Sequence, residues 1–144
     1  MKKFIISSRP KQMTKNLLIF VPLFFTIDTW ILYSYADIQV IIFKSIFTFF
    51  SFCCCSIIGY QINDFIDRNL DKFHPIKKNR PIAKNEIKYI ELFLFIFLVF
   101  IVGGLFAYLV NINVLFLFTI YLLLSILYSY IFKNYFLMDL IFIV

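Results

Sequence analysis

Acidic side chains are scarce in this sequence: Asp and Glu number 8 among 144 residues, and charged residues of both signs reach only 15%. With 62% of positions hydrophobic and a mean hydropathy of +0.91, the chain has too little polar surface to cover a water-soluble globule, which places it in a membrane. A single histidine, His74, leaves no second imidazole for a histidine metal centre. The three cysteines, Cys53, Cys54 and Cys55, are consecutive. On a helix they point in directions about 100° apart, so they cannot form a metal site by themselves and read as small apolar packing residues. No repeat, low-complexity linker or second soluble domain is visible. A cleavable signal peptide is not expected: the first apolar run starts late, behind Lys2, Lys3, Arg9, Lys11 and Lys15, without a small-residue cleavage pattern.

What the chain has instead is apolar length. A hydrocarbon core of ~30 Å is crossed by about 20 apolar residues in a helix. Tyr89 to Val110 is the clearest span, and Asn111 to Phe132 follows it, with Asn111 and Asn113 marking the turn between them. Ile38 to Ile62 makes another, interrupted only by Lys44, which lies near enough to an end to snorkel. The first span is less regular. Asn16 to Phe25 is apolar but holds Pro22, and Asp28 follows soon after, so a short, kinked or tilted segment is expected, with Trp30, Tyr33 and Tyr35 suited to an interfacial aromatic belt. Met138 to Val144 begins a fifth apolar run. The expected fold is an all-α polytopic bundle of about four complete spans plus the start of a fifth, a single transmembrane domain over residues 1–144 that is the front part of a longer protein.

Basic residues are sharply segregated. The amino-terminal segment, the loop from Arg68 to Lys88, and Lys133 hold all the Lys and Arg except Lys44. By the positive-inside tendency the amino terminus and that loop are cytoplasmic, as expected of a multi-pass protein of the plasma (inner) membrane. The net charge of +6 then reads as topology plus an anion site, not as nucleic-acid binding.

One stretch breaks the apolar pattern: NDFIDRNLDKFHPIKKNRPIA, Asn63 to Ala83. If the preceding helix continues through it, Asp67, Asp71 and Asp64 lie about 40°, 80° and 100° around the axis from Asn63, so four oxygen-bearing side chains share one broad face. Carboxylates at such spacings repel, and a divalent cation reverses that penalty. Hard oxygen ligands without a Cys or His cluster favour Mg²⁺, which keeps waters and takes other ligands from substrate phosphates. Lys72, Lys77, Lys78, Arg80 and Lys84 follow as donors suited to phosphate oxygens, on a loop stiffened by Pro75 and Pro81. The lysines taken alone read equally as a solvated topology loop. His74 reads as a loop hydrogen-bonding residue or a phosphate contact, with both open.

These residues carry a resemblance. Asn63-Asp64-x-x-Asp67-x-x-x-Asp71 resembles the first aspartate-rich motif of the UbiA superfamily of intramembrane prenyltransferases, helical bundles of about nine spans around a cytoplasm-facing cavity. DKFHPIKKNRPIA, at Asp71 to Ala83, resembles the extension found in the superfamily's decaprenyl-phosphate phosphoribosyltransferase branch. RPKQMTKNLLIFVPLFF, at Arg9 to Phe25, is similar to that branch's amino-terminal signature, and YSYIFK puts Tyr128 and Lys133 at the branch's spacing, with Asp139 where it has a following aspartate. The likeness covers essentially the whole chain but about half of a typical member, without the second aspartate-rich motif.

The resemblance implies a transferase that moves phosphoribose from 5-phosphoribosyl 1-diphosphate, a soluble diphosphate donor, to a polyprenyl phosphate lipid in cell-envelope biosynthesis. Asn63, Asp64, Asp67 and Asp71 would hold Mg²⁺. His74, Lys77, Lys78, Arg80, Lys15 and Asn16 would contact phosphates, and Tyr128 and Lys133 would complete the donor site or orient the acceptor. A homo-oligomer stays open, and the 144 residues alone are expected to insert without turnover. Two other readings are a UbiA-type prenyltransferase moving an isoprenoid chain to an aromatic or other acceptor, and a non-catalytic membrane fragment that binds lipid or a partner subunit.

Overall fold

In the computed structural model, which describes residues 2–131 and residue 133, the clearest apolar run is helix α5, Tyr89–Val110. Its start is fixed by a capping box in which Glu91 accepts from the Lys88 backbone N–H at 3.4 Å. Its end is the extended residue Asn111, whose Oδ1 accepts from the Val114 N–H at 2.9 Å and so caps α6, Ile112–Tyr130. One residue thus turns the chain between two antiparallel helices.

Helix α4, Tyr35–Asp71, is capped by Ser34 and runs for 37 residues, with no break between the apolar span and the polar motif. At about 1.5 Å per residue it is roughly 56 Å long, far more than the ~30 Å of hydrocarbon, so its last turns carry the motif beyond the apolar core. These three helices are long and apolar enough to cross a membrane, and most of the large apolar side chains of α5 and α6 face outward, as lipid contact requires. The chain is an integral membrane protein with an all-α bundle.

The first expected span is broken rather than continuous. After α1, Lys2–Ser7, the chain forms a 3₁₀ helix, Pro10–Phe20, then the short helices α2, Val21–Phe25, and α3, Ile27–Trp30. Pro22 sits in the first turn of α2, where its missing N–H is harmless. The indole N–H of Trp30 donates to the Leu23 carbonyl at 3.1 Å across the bend, so Trp30 fastens the kink as well as suiting an interface. The expected fifth segment and Asp139 lie outside the described residues.

Helix α4 packs against both α5 and α6 around Cys55, Ile58, Val99, Ala107, Phe118 and Leu122. Small residues let the backbones approach, as membrane helices require in the absence of a hydrophobic drive between them. A Cβ on Gly103 would meet Cys54 at 2.6 Å and Phe118 at 2.8 Å, and one on Gly59 would meet the Ser125 hydroxyl at 2.6 Å. The buried Ser51 hydroxyl donates to the Gly103 carbonyl at 3.0 Å. The cysteines are free thiols used for packing: Cys53 and Cys55 are buried and Cys54 is half-buried under Gly103.

A second apolar cluster, Ile82, Ile87 and Leu92, seats the loop after α4 against α5, with Phe4 and Phe65 packed on it. The amino-terminal helix closes over this corner. Lys3 binds Glu91 at 2.5 Å and donates to the Glu86 carbonyl at 3.0 Å, the Phe4 and Phe95 rings lie 4.6 Å apart, and the buried Gln61 amide donates to the Ser7 hydroxyl at 2.9 Å. Three parts of the chain that are remote in sequence therefore converge at the end of α4.

Candidate functional site

At that convergence lies a cavity of about 260 Å³ between the ends of α4 and α6. Helix α4 contributes Ser56, Gly59, Tyr60, Asn63 and Asp67, and α6 contributes Tyr121, Ser125, Tyr128 and Ser129. Arg9, Lys77 and Lys133 complete the wall. Gly59 matters here for space, because a side chain at its position would press on Ser125 from the opposite wall. A second hollow of about 370 Å³ shares Tyr60, Tyr121, Ser125 and Tyr128 with the first and adds Leu124, so the polar chamber opens into a tyrosine-lined one.

The four oxygen-bearing residues expected on one face are divided between two tasks. Asn63 and Asp67, one turn apart, line the cavity, and the Asp67 carboxylate is paired with Lys133. Asp64 and Asp71, two turns apart, are not among its lining residues. Arg80 binds Asp71 at 2.7 Å and Asp64 at 3.0 Å, and Arg9 binds the same Asp64 oxygen. The exposures are 2% for Asp64 and 3% for Asp71, so their charges are withdrawn from water and matched by guanidinium groups. The reason is angular. The Asn63–Asp67 line is centred about 70° around the helix from the Asp64–Asp71 line, enough for two different partners to claim them. In this structure the four oxygens expected on one face are therefore claimed by different partners. Among the described residues, no group of three or more His, Cys, Asp or Glu side chains is arranged to hold a metal ion. An ion that took all its protein ligands from these four residues does not fit. One that took two, Asn63 and Asp67, and completed its shell with waters and substrate phosphate does.

The remaining expected site residues separate in the same way. Lys77 reaches the cavity, whereas Lys78 is exposed and is not among its lining residues. His74 is exposed too, and its Nδ1 accepts from the backbone N–H groups of Ile76 and Lys77, both at 3.2 Å. These two bonds shape the turn that carries Lys77 to the cavity. Arg80 is turned to the two aspartates. Asn16 supports the wall from behind, its amide donating to Ser56 Oγ at 3.1 Å and lying 3.4 Å from Cys53 Sγ, while Lys15 is exposed. Tyr128 and Lys133 both line the chamber.

Arg9 was counted in the sequence only as a topology charge. The structure gives it the left-handed backbone conformation, with φ 48° and ψ 60°, directly before Pro10. That conformation is costly for a residue with a Cβ, and proline's predecessor is normally pushed toward extended backbone. The strain is held by what the side chain reaches: Asp64, the face of Tyr60 at 5.0 Å, and the cavity wall. An arginine fused to a proline at the head of the signature stretch was the available signal.

Among the described residues, the balance of charge on the wall is one carboxylate, Asp67, against Arg9, Lys77 and Lys133. Arg9 is paired with Asp64 and Lys133 with Asp67, so the wall keeps a modest excess of positive charge, which attracts anions. The comparisons with known proteins agree in kind. Residues 17–144 match the model of the UbiA prenyltransferase family. The chain is 39% identical over 75 residues to a decaprenyl-phosphate phosphoribosyltransferase of Mycolicibacterium smegmatis, a match covering 52% of this chain and 23% of that protein. It is 32% identical over 138 residues to a Sinorhizobium fredii protein called uncharacterized protein y4nM, covering 96% of this chain and 25% of that one. The chain thus spans about a quarter of the length of these curated relatives. No solved structure matches. With the family's match running through the cavity-forming helices, the chain belongs to the UbiA prenyltransferase family.

Proposed function

We propose that this chain forms the donor-binding part of an Mg²⁺-dependent intramembrane transferase that moves phosphoribose from 5-phosphoribosyl 1-diphosphate to a polyprenyl phosphate. The observation that carries the reading is the wall of Arg9, Lys77 and Lys133 set against Asn63 and Asp67 at the polar end of the bundle. The name of the Mycolicibacterium relative supports it, and so does the His74-to-Ala83 stretch, whose fold presents Lys77 to the chamber. The polar end is taken as cytoplasmic from the basic residues gathered there.

In the reaction an oxygen of the lipid phosphate attacks ribose C1. The bond from C1 to the diphosphate breaks, and the diphosphate leaves with its electron pair. Both phosphates are anionic at neutral pH, so no strong general base is required, and rate comes from positioning and charge stabilisation. Asn63 and Asp67 would hold Mg²⁺, which when bound neutralises the departing diphosphate. Lys133 is paired with Asp67 and is placed to pass to the diphosphate as donor binds. Lys77 and Arg9 supply donors to phosphate oxygens, and Arg9 is pre-aimed by Asp64 and Tyr60. Tyr128 orients the acceptor from the α6 wall.

A UbiA-type prenyl transfer is the second reading, favoured by the chamber lined by Tyr60, Tyr121 and Tyr128, whose ring faces suit a developing allylic cation. Labelled 5-phosphoribosyl 1-diphosphate and polyprenyl phosphate, incubated with membranes containing the protein at its full natural length, separate the two. Formation of a labelled phosphoribosyl lipid is expected. Transfer of an isoprenoid from its diphosphate with no phosphoribosyl lipid would reject the first reading.

A further inference from the structure

Among the described residues, a separate, apolar groove lies where α4, α5 and α6 meet. Two hollows of about 480 Å³ and 290 Å³ form it, and they share Ile62, Phe93, Ile96 and Ile126. It runs from Tyr89, at the start of α5, to Phe100. Those eleven steps at about 1.5 Å make roughly 16 Å, the depth of one leaflet, or about half of a ~30 Å core.

Charge at the mouth identifies an occupant. The three arginines of the chain are Arg9, Arg68 and Arg80. Arg9 and Arg80 are bound to carboxylates, whereas among the described residues Arg68 makes no ion pair. Its guanidinium lies 4.3 Å from the centre of the Phe65 ring and 5.3 Å from that of Tyr89, two residues that line the groove. One of its nitrogens donates to the Phe65 carbonyl at 3.1 Å, leaving other N–H donors of the fork available. The nearest carboxylate on α5, Glu91, is held by Lys3. Exposed Lys72, one turn beyond Arg68, and exposed Lys88, next to Tyr89, add to the positive rim.

We infer that the groove binds an anionic glycerophospholipid of the leaflet on the polar side, with one acyl chain between α5 and α6 and the headgroup phosphate on Arg68. The length selects this lipid over a polyprenyl phosphate: the channel ends near mid-bilayer, which suits a chain that also ends there. The site is distinct from the polar chamber, which lies between α4 and α6 with Arg9, Lys77 and Lys133 on its wall.

The test uses the protein at its full natural length in nanodiscs, with Phe93→Trp as a fluorescent reporter and phospholipids brominated on the acyl chain as quenchers. Brominated phosphatidylglycerol is expected to quench at about fivefold lower mole fraction than brominated phosphatidylcholine, the preference one basic residue gives near a membrane surface. Arg68→Gln should abolish that preference and Arg68→Lys should keep most of it. Equal quenching by the two lipids, no quenching by either, or a preference that survives Arg68→Gln overturns the inference. So does displacement of the brominated lipid by stoichiometric polyprenyl phosphate, which would make the occupant the acceptor. Native mass spectrometry of the protein with and without Arg68→Gln gives the same answer without the tryptophan: loss of retained phosphatidylglycerol supports the site, and unchanged retention removes it.

Discussion

Asn63 and Asp67 are spaced four residues apart on α4, and so are Asp67 and Asp71, yet the structure treats the pairs differently. The first pair lines the chamber. The second is divided, because Asp71 turns with Asp64 toward Arg80 and away from the chamber wall. Helix geometry sets only the angles at which the four side chains leave the axis. What decides their chemistry is what meets them: Lys133 from beyond α6 on one side, the 72–88 loop and the amino-terminal strap on the other. Asp64 and Asp71 thereby hold Arg9 and Arg80 in place, while Asn63 and Asp67 line the chamber; in the proposed reaction the first two would be positioning residues and the second two would face the substrate.

The sharpest way to break this comparison is at Asp67. Asp67→Asn keeps the side chain's shape but removes the only carboxylate on the chamber wall among the described residues. Turnover of the full-length protein is expected to fall by on the order of 10²-fold or more, the size of effect seen when a group that stabilises transition-state charge is lost, with insertion and folding unchanged. Steady-state rates at several Mg²⁺ concentrations check it. Full activity at limiting Mg²⁺ would remove Asp67 from the site and, with it, the distinction between the two lines.

Asp64 gives a smaller and different effect. Asp64→Asn leaves Arg9 and Arg80 without the oxygen they share, and breaking a buried ion pair by removing one partner costs about 3–5 kcal/mol. The thermal midpoint should drop and the KM for the diphosphate donor should rise about tenfold, while the Mn²⁺ affinity of the donor complex, read by electron paramagnetic resonance in place of Mg²⁺, stays where it was. Asp64→Asn combined with Arg80→Gln should cost less stability than the two single changes added together, because each partner's loss is already counted in the other. A large fall in Mn²⁺ affinity with Asp64→Asn would instead return Asp64 to the metal site.

Much of this was legible in the sequence, unevenly and for identifiable reasons. The bounds of α5 were readable because Lys88 and Asn111 flank a long apolar run, and both act as caps. The run of α4 into the motif followed from the absence of any breaker between Ile62 and Asp71. The broken first span was foreshadowed by Pro22, but the long 3₁₀ segment from Pro10 was not, since no periodicity distinguishes it from a short α-helix. The division of the four oxygens was hidden because it depends on Arg9 and Arg80, which reach the motif from 55 and 16 residues away from Asp64. Periodicity reports which residues share a face, and it is silent about which remote side chain arrives there.

His74 tests the loop's part of the comparison and has the smallest expected effect. Its imidazole accepts two backbone N–H groups, those of Ile76 and Lys77, and so holds the turn that carries Lys77 to the chamber and Arg80 to the aspartates. His74→Ala removes both acceptors at an exposed site, where water replaces them, so the loss is about 0.5–1.5 kcal/mol for each hydrogen bond at most. The maximal rate should change little, because His74 touches neither the chamber nor the four oxygens. The KM for the donor should rise only a few-fold as Lys77 becomes less well placed. His74→Asn, whose side-chain oxygen can accept from the same turn, should recover most of that loss. An Asn variant as impaired as the Ala variant, together with a rate that collapses while KM holds, would mean that the imidazole itself contacts the substrate, and the loop would then belong to the reacting half of the site and not to its support.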